Sequence, residues 1–261
     1  VKNINAKLAY IVLPLSVVVG YLVYTYVAGN PANFVDGDPK GQARNMLGTI
    51  YQGGVLVIPL LSFQFIALVY IIERYFSLRM SRGRGDLREF IFKVKSALAA
   101  DDYPKLIAIS DQQRGAVGNV VKTGTEVFLS RKSTEQVDQK DIYLIQKELE
   151  EATQLEVSEL TTNMFILGTV AQISTLVGLL GTVTGMIQAF AALARVGEPD
   201  PVGLAGGISQ ALVTTAVGIT TAAFTIVFYN SFNNQIERIT YTIDEVCFSI
   251  IHSLKLKFFV D

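Results

Sequence analysis

The sequence has one cysteine, Cys247, and one histidine, His252. A lone cysteine excludes an internal disulfide and gives no basis for a thiolate zinc site. A lone histidine argues against a His-based triad or a multi-histidine metal centre, so no enzyme, metal or cofactor is expected. Charge of either sign is not in excess: 22 Lys and Arg face 23 Asp and Glu, a formal net charge of −1. That balance excludes the basic footprint of a nucleic-acid binder. It also hides a segregation, because charge clusters in about 79–160 and at the C-terminal end and is missing from long stretches elsewhere.

Those charge-free stretches are the positive signal. A membrane-spanning helix needs about 20 mostly apolar residues, and four windows qualify: Leu8 to Gly29, Val55 to Ile72, Thr161 to Ala194, and about Gly207 to Tyr229. The first could instead be a cleaved signal peptide, but its apolar stretch is long for one, and a transmembrane helix is expected. The fold class expected is all-α, a polytopic membrane protein with four transmembrane helices. The domain plan is an N-terminal helix and periplasmic loop (1–54), a second span (55–78), a cytoplasmic helical region (79–160), a membrane hairpin (161–230) and a cytoplasmic C-terminal helix (231–261).

Orientation follows from Lys and Arg near the span ends. Lys2 and Lys7 precede the first span; Arg74, Arg79, Arg82 and Arg84 close the second; Arg238, Lys255 and Lys257 follow the fourth. The loops 30–54 and 195–206 hold only Lys40, Arg44 and Arg195, beside Asp36, Asp38, Glu198 and Asp200. Both termini and 79–160 are therefore expected in the cytoplasm. Glu73-Arg74, at a span edge, reads as an interfacial ion pair or anchor.

The 79–160 region shows helical periodicity. Leu87, Phe90, Ile91, Val94 and Leu98 share a face. Asp101 or Asp102 can cap a helix entering through Tyr103-Pro104, and Arg114-Gly115 breaks it. Ser133 or Thr134 is a candidate cap for the next helix. If unbroken to Ala194, that helix has about 60 residues and is about 90 Å long. The fourth span also overruns: Ile236, Ile239, Ile243, Val246 and Ile250 form a stripe on an amphipathic extension.

Within the spans, small and hydroxylated residues recur. Gly178, Gly181 and Gly185 in the third span, and Gly206, Gly207, Ala211, Ala216, Gly218, Ala222 and Ala223 in the fourth, would let backbones approach closely. Polar residues accompany them: Gln172, Ser174, Thr175, Thr182, Thr184 and Gln188, then Ser209, Gln210, Thr214, Thr215, Thr220, Thr221 and Thr225. Thr175 and Thr182, seven apart, share a face; Gln210, Thr214 and Thr221 form a stripe with Thr215 at its edge. Such hydroxyls can bond back to their own helix, glue helices together, or line a narrow wet path. No Asp, Glu, Lys, Arg or His lies inside any span. Proton relays in membranes normally use a titratable group, so if this chain handles protons, another polypeptide supplies the carboxylate.

LVGLLGTVTGMIQAF (176–190) resembles the GLLGTVwGI-type signature of the ExbB, TolQ and MotA proton-channel family. GISQALVTTAVGITTAAFTIVFYN (207–230) resembles that family's second signature, and residues 53–78 resemble its first membrane helix. The likeness covers about 50–255 and is nearest to ExbB-type proteins with an extra N-terminal helix. It implies a bacterial inner-membrane homo-oligomer, a pentamer, ringed around an ExbD-like single-span pair that supplies a membrane aspartate. The ring would energise a TonB-like protein for outer-membrane transport. By the same resemblance, Thr182 and Thr215 take the proton-path positions. Two departures stand out: Gln210 replaces the family's glutamate, and Ser174-Thr175 replaces an Ala-Pro. The competing expectations are a TolQ-like, gliding or secretion motor, and a passive membrane scaffold whose threonines only pack.

Overall fold

The computed structural model describes residues 2–39, 41–132, 138–194 and 200–259, with the side chains of 2–9, Lys132 and Phe259 outside the description. The described chain is helical, with one isolated bridge between Phe34 and Ala43. Four helices are long and apolar enough to cross a membrane. Contacts divide the chain into two units, one of residues 1–73 and 163–230, the other of 74–162 and 231–261.

In the first unit, α1 (Lys2–Leu22) runs on into a π-helical turn, Val23–Ala28. It packs on α3 (Val57–Ser81) where Gly20 leaves no room for a side chain: an added β-carbon would lie 2.8 Å from Ile58 O. Ser16 and Ser62, both buried, satisfy their hydroxyls on the carbonyls of Leu13 and Ile58. The segment between α1 and α3 is an ordered cap. Buried Asn33 donates to Val27 O (2.7 Å) and Ala28 O (3.0 Å), and its own oxygen accepts from Asn45 Nδ2 (2.9 Å). Asn45 also caps a short helix, α2 (Met46–Gln52). Tyr51 of α2 stacks on Tyr24 of the π turn at 4.6 Å and meets the edge of Phe34 at 5.7 Å.

The membrane hairpin is α8 (Met164–Leu193) and the first part of α9 (Pro201–Phe259). Asp200 starts α9 by accepting from Gly203 N at 2.9 Å, with Pro201 at the first helical position where no N–H is needed. The expected overrun of the fourth span is present as one continuous helix of 59 residues.

The second unit is built from α4 (Leu87–Ala99), α5 (Tyr103–Gln113), α6 (Gly115–Lys132), α7 (Gln139–Thr161) and the C-terminal part of α9. The stripe Ile236, Ile239, Ile243, Val246 and Ile250 is buried throughout, as are Phe90, Val94 and Leu98 of α4. Asp102 caps α5 through Lys105 N (3.0 Å), and the chain breaks at Arg114-Gly115, where both residues have positive φ. At the far end of α9, Lys257 pairs with Asp101, which accepts from Tyr103 Oη at 3.1 Å. Burial and this acid push the Tyr103 phenol up to about 12. On α6, the hydrogen bond and charge of Asp111 raise the Lys122 ammonium.

One expectation differs from the structure. The helix leading into the third span is not unbroken: α7 ends at Thr161, and Asn163 stands in the left-handed region at φ 63 before α8 begins. Asn is one of the few residues that occupies this region at low strain, and its side chain lies 3.4 Å from Glu73 Oε2. The observed start of α7 is a capping box between Asp138 and Asp141, while the anticipated caps Ser133 and Thr134 lie outside the described residues. Arg74, expected in an interfacial ion pair or anchor, is completely buried, with its Nη1 3.4 Å from Leu160 O.

Candidate functional site

The hairpin is held by a seam without bulk. Lipid gives helices little hydrophobic reason to associate, so close van der Waals contact must supply it. Gly178 faces Gly218 and the backbone of Thr214 and Thr215; a β-carbon there would sit 3.3 Å from Gly218 Cα and from Thr214 O. One turn on, a β-carbon at Gly181 would collide with the Thr214 side chain. At Gly185 it would lie 2.6 Å from Gly207 O and 2.8 Å from Ala211 Cβ, and at Gly218 it would lie 2.7 Å from Ser174 O. Five of the six packing glycines named from the sequence, Gly207 among them, are thus brought to one antiparallel contact. Gly206, Ala216 and Ala223 are not: nothing lies within 4 Å of a β-carbon at Gly206, and both alanines are exposed.

The hydroxyls fall into two groups around this seam. Ser174, Thr214, Thr221 and Thr225 are buried, and each donates to a carbonyl of its own helix at 2.7–3.1 Å. Thr175, Thr182 and Thr215 are half-buried at its flanks. Thr182 donates to Leu179 O at 2.6 Å and Thr175 to Ala171 O at 3.3 Å. Thr215 alone reaches the opposite helix: its Oγ1 is 3.1 Å from Gly178 O and 3.0 Å from Ala211 O. Thr182 lies one turn beyond Gly178, whose carbonyl Thr215 reaches.

In every case the hydroxyl proton is directed at a backbone carbonyl. What remains available on each threonine is lone pairs, so the half-buried flanks offer acceptors rather than donors. Gln210 is half-buried near the start of α9, its amide against Gly54. Gly54 has φ +75, and a β-carbon there would lie 3.1–3.3 Å from the Gln210 amide atoms. A β-carbon at the neighbouring Gly53 would lie 2.8 Å from Val213 Cγ1. The sequence reading missed this turn, although Gly53-Gly54 directly before a span is a local breaker signal.

The outward faces of the two helices differ. α8 presents large side chains, among them Leu176, Leu179, Val183, Ile187 and Phe190. α9 mixes Leu212 and Ile219 with Ala216, Thr220 and Ala223. Outside the spans, His252 stacks on Phe248 (5.6 Å between centroids) and Cys247 Sγ lies 3.8 Å from Thr153 Oγ1.

Among the described residues, four helices apolar enough to span, two of them joined by a glycine seam edged with hydroxyls, define a multi-pass membrane protein. Residues 116–245 match the MotA/TolQ/ExbB proton channel family. Among similar proteins, an "ExbB-like 3" biopolymer transport protein of Synechocystis is 31% identical over 185 residues, which cover 70% of this chain and 82% of that one. The biopolymer transport protein ExbB of Salmonella typhimurium is 35% identical over 85 residues, 33% of this chain and 35% of its own length. The Tol-Pal system protein TolQ of Pseudomonas aeruginosa is 34% identical over 100 residues, 37% of this chain and 43% of its own. The chain belongs to the MotA/TolQ/ExbB proton channel family: it is a motor subunit of that type and a multi-pass protein of the inner membrane. The family is one of transport components rather than of enzymes.

Proposed function

We propose that the chain is an ExbB-like wall subunit of a motor driven by the proton-motive force. Copies form a ring, a pentamer, with both termini in the cytoplasm. The ring encloses a pair of ExbD-like single-span helices, and the aspartate on each is the acid that titrates. The single observation carrying this reading is the hairpin: no Asp, Glu, Lys, Arg or His inside its spans, and hydroxyls of Thr182 and Thr215 on the flanks of the seam with their protons directed at backbone carbonyls.

The chemistry follows from protonation states. A neutral carboxylic acid donates a hydrogen bond; a carboxylate only accepts. A threonine face whose hydroxyl protons are already committed receives the neutral acid and offers no donor to the anion. Charge is thus disfavoured beside the hairpin, and the partner's acid moves past it when protonated. Thr175 and Thr214 extend and position this surface, and Gln210 offers a neutral amide where the family has an acid. Each proton crossing a potential of about 100 mV is worth about 2.3 kcal/mol. Repeated steps turn the enclosed pair, which works on a TonB-like protein to energise outer-membrane transport.

The test is co-expression with an ExbD-like partner, purification of the complex and comparison of Thr182→Val and Thr215→Val. The near-isosteric loss of one hydroxyl should abolish energised uptake while the complex still assembles. Unchanged uptake in both variants would instead leave a passive scaffold. A second reading, a TolQ-like envelope motor, is favoured by the similarity to TolQ of Pseudomonas aeruginosa. Selective co-purification with a TolR-like and TolA-like pair would decide for it.

A further inference from the structure

We propose that the cleft beside the last turns of α3 binds the phosphate headgroup of an anionic phospholipid. The cleft holds about 570 Å³ and is lined by Tyr75, Leu78, Arg79, Arg82, Gln235 and Arg238, together with Gly83, Gly85, Leu87 and Ile239. It contains three guanidinium groups and no carboxylate.

Four lysines elsewhere in this unit are matched. Lys93 pairs with Glu89, Lys95 with Glu245, Lys122 with Asp111 and Lys257 with Asp101. Among the described residues Arg82 and Arg238 make no ion pair, and Arg79 reaches only the Tyr75 hydroxyl, at 3.3 Å. Three like charges around one concavity repel each other, and an anion placed there removes that repulsion. The planar fork of arginine matches phosphate oxygens two at a time.

Location selects the lipid over a free anion. α3 is a membrane-spanning candidate, and the cleft lies at its charged end. On the same turns Tyr75, Phe76 and Met80 are 51%, 60% and 79% exposed. An aromatic and apolar surface next to a row of arginines is the pattern of the headgroup level. The acyl chains then have an apolar flank to lie on while the phosphate occupies the basic cleft. A bias of positive charge toward one side of the membrane would by itself place arginines here, but it would not gather them around a concavity.

The experiment titrates the full chain, in neutral detergent, with dioctanoyl phosphatidylglycerol, dioctanoyl phosphatidylcholine and inorganic phosphate. Native mass spectrometry reads retained lipid and a thermal-shift assay reads stabilisation. Retention of the glycerol lipid, at least tenfold weaker binding of the choline lipid, and no competition by phosphate is the expected pattern. Arg82→Gln with Arg238→Gln should weaken glycerol-lipid binding at least tenfold, and Arg131→Gln on α6 should leave it unchanged. Equal binding of the two lipids, or of the wild type and the double variant, overturns the proposal. So does full displacement by inorganic phosphate, which would make this a general anion site. A double variant that keeps its lipid but loses self-association or partner binding would assign the cleft to an acidic protein surface. Should the double variant not fold, the lipid comparison on the wild type decides alone.

Discussion

The glycine seam of the hairpin and the core of the second unit solve the same problem with opposite materials. Between α8 and α9 the contact is made by Gly178, Gly181, Gly185, Gly207 and Gly218, and the large side chains point away from it. Among α4–α7 and the end of α9 the contact is made by Phe90, Leu106, Phe128, Ile145, Leu149 and Ile243, and the charges point away. In water, burying large apolar surface is the main drive, at about 25 cal/mol per Å². In lipid that term vanishes between helices, and only backbone proximity and polar contacts are left. The two regions therefore fail differently: the core by losing volume, the seam by gaining it.

Volume gained in the seam should have the largest effect. Gly181→Val drives a β-carbon and two methyls into Thr214, and we expect no monodisperse protein in detergent, read by size-exclusion chromatography. Gly181→Ala paired with Thr214→Gly should recover part of the loss that Gly181→Ala causes alone, since it removes the atoms struck. Recovery absent from the pair would mean the two helices do not meet there. Volume lost from the core comes next. Leu149→Ala, at a position 1% exposed, should destabilise by about 2–5 kcal/mol in thermal or chemical unfolding, and the same truncation of the outward Leu179 should have little effect. Thr215→Val should change stability by only about 0.6 kcal/mol, the typical value of a polar contact between membrane helices. Its uptake phenotype should then far exceed its stability phenotype, and Thr215→Ser should restore uptake.

The smallest effect is alkaline. The Tyr103 phenol stands at about 12 when folded, above its ordinary 10.0. Folding thus favours the protonated form. The associated stability is fully present below pH 10 and lost as pH rises toward 12. Tyr103→Phe should flatten that loss in a melting series across the window; a wild-type curve already flat there would detach the residue from the Lys257–Asp101 contact.

The spans, the isoleucine stripe of α9 and the start and end of α5 were legible in the sequence. Each rests on a local property: apolar length, a 3.6-residue period, an aspartate before a proline, an arginine-glycine break. The small residues recurring in the third and fourth spans likewise predicted tight packing, against each other or against neighbouring subunits, and the structure brings the two helices together. What escaped depends on contacts between residues far apart in the chain. Nothing near Thr162-Asn163 marks a helix break, because neither residue is a strong breaker. The buried position of Arg74 and the Asn33–Asn45 network of the cap need partners 12 to 86 residues away. Periodicity put Gln210, Thr214 and Thr221 on one stripe, yet did not tell which part lies under α8. The structure buries Thr214 and Thr221 and leaves Gln210 half-covered beside Gly54.

The π turn at Val23–Ala28 amounts to one residue too many in an otherwise regular spiral. Deleting any single residue from it would restore ordinary winding and swing everything before it by about 100°. Gly20 would then leave α3, or Tyr24 would leave Tyr51; both docking points are kept by the surplus residue. A one-codon deletion in this stretch should accordingly do more damage than most substitutions there.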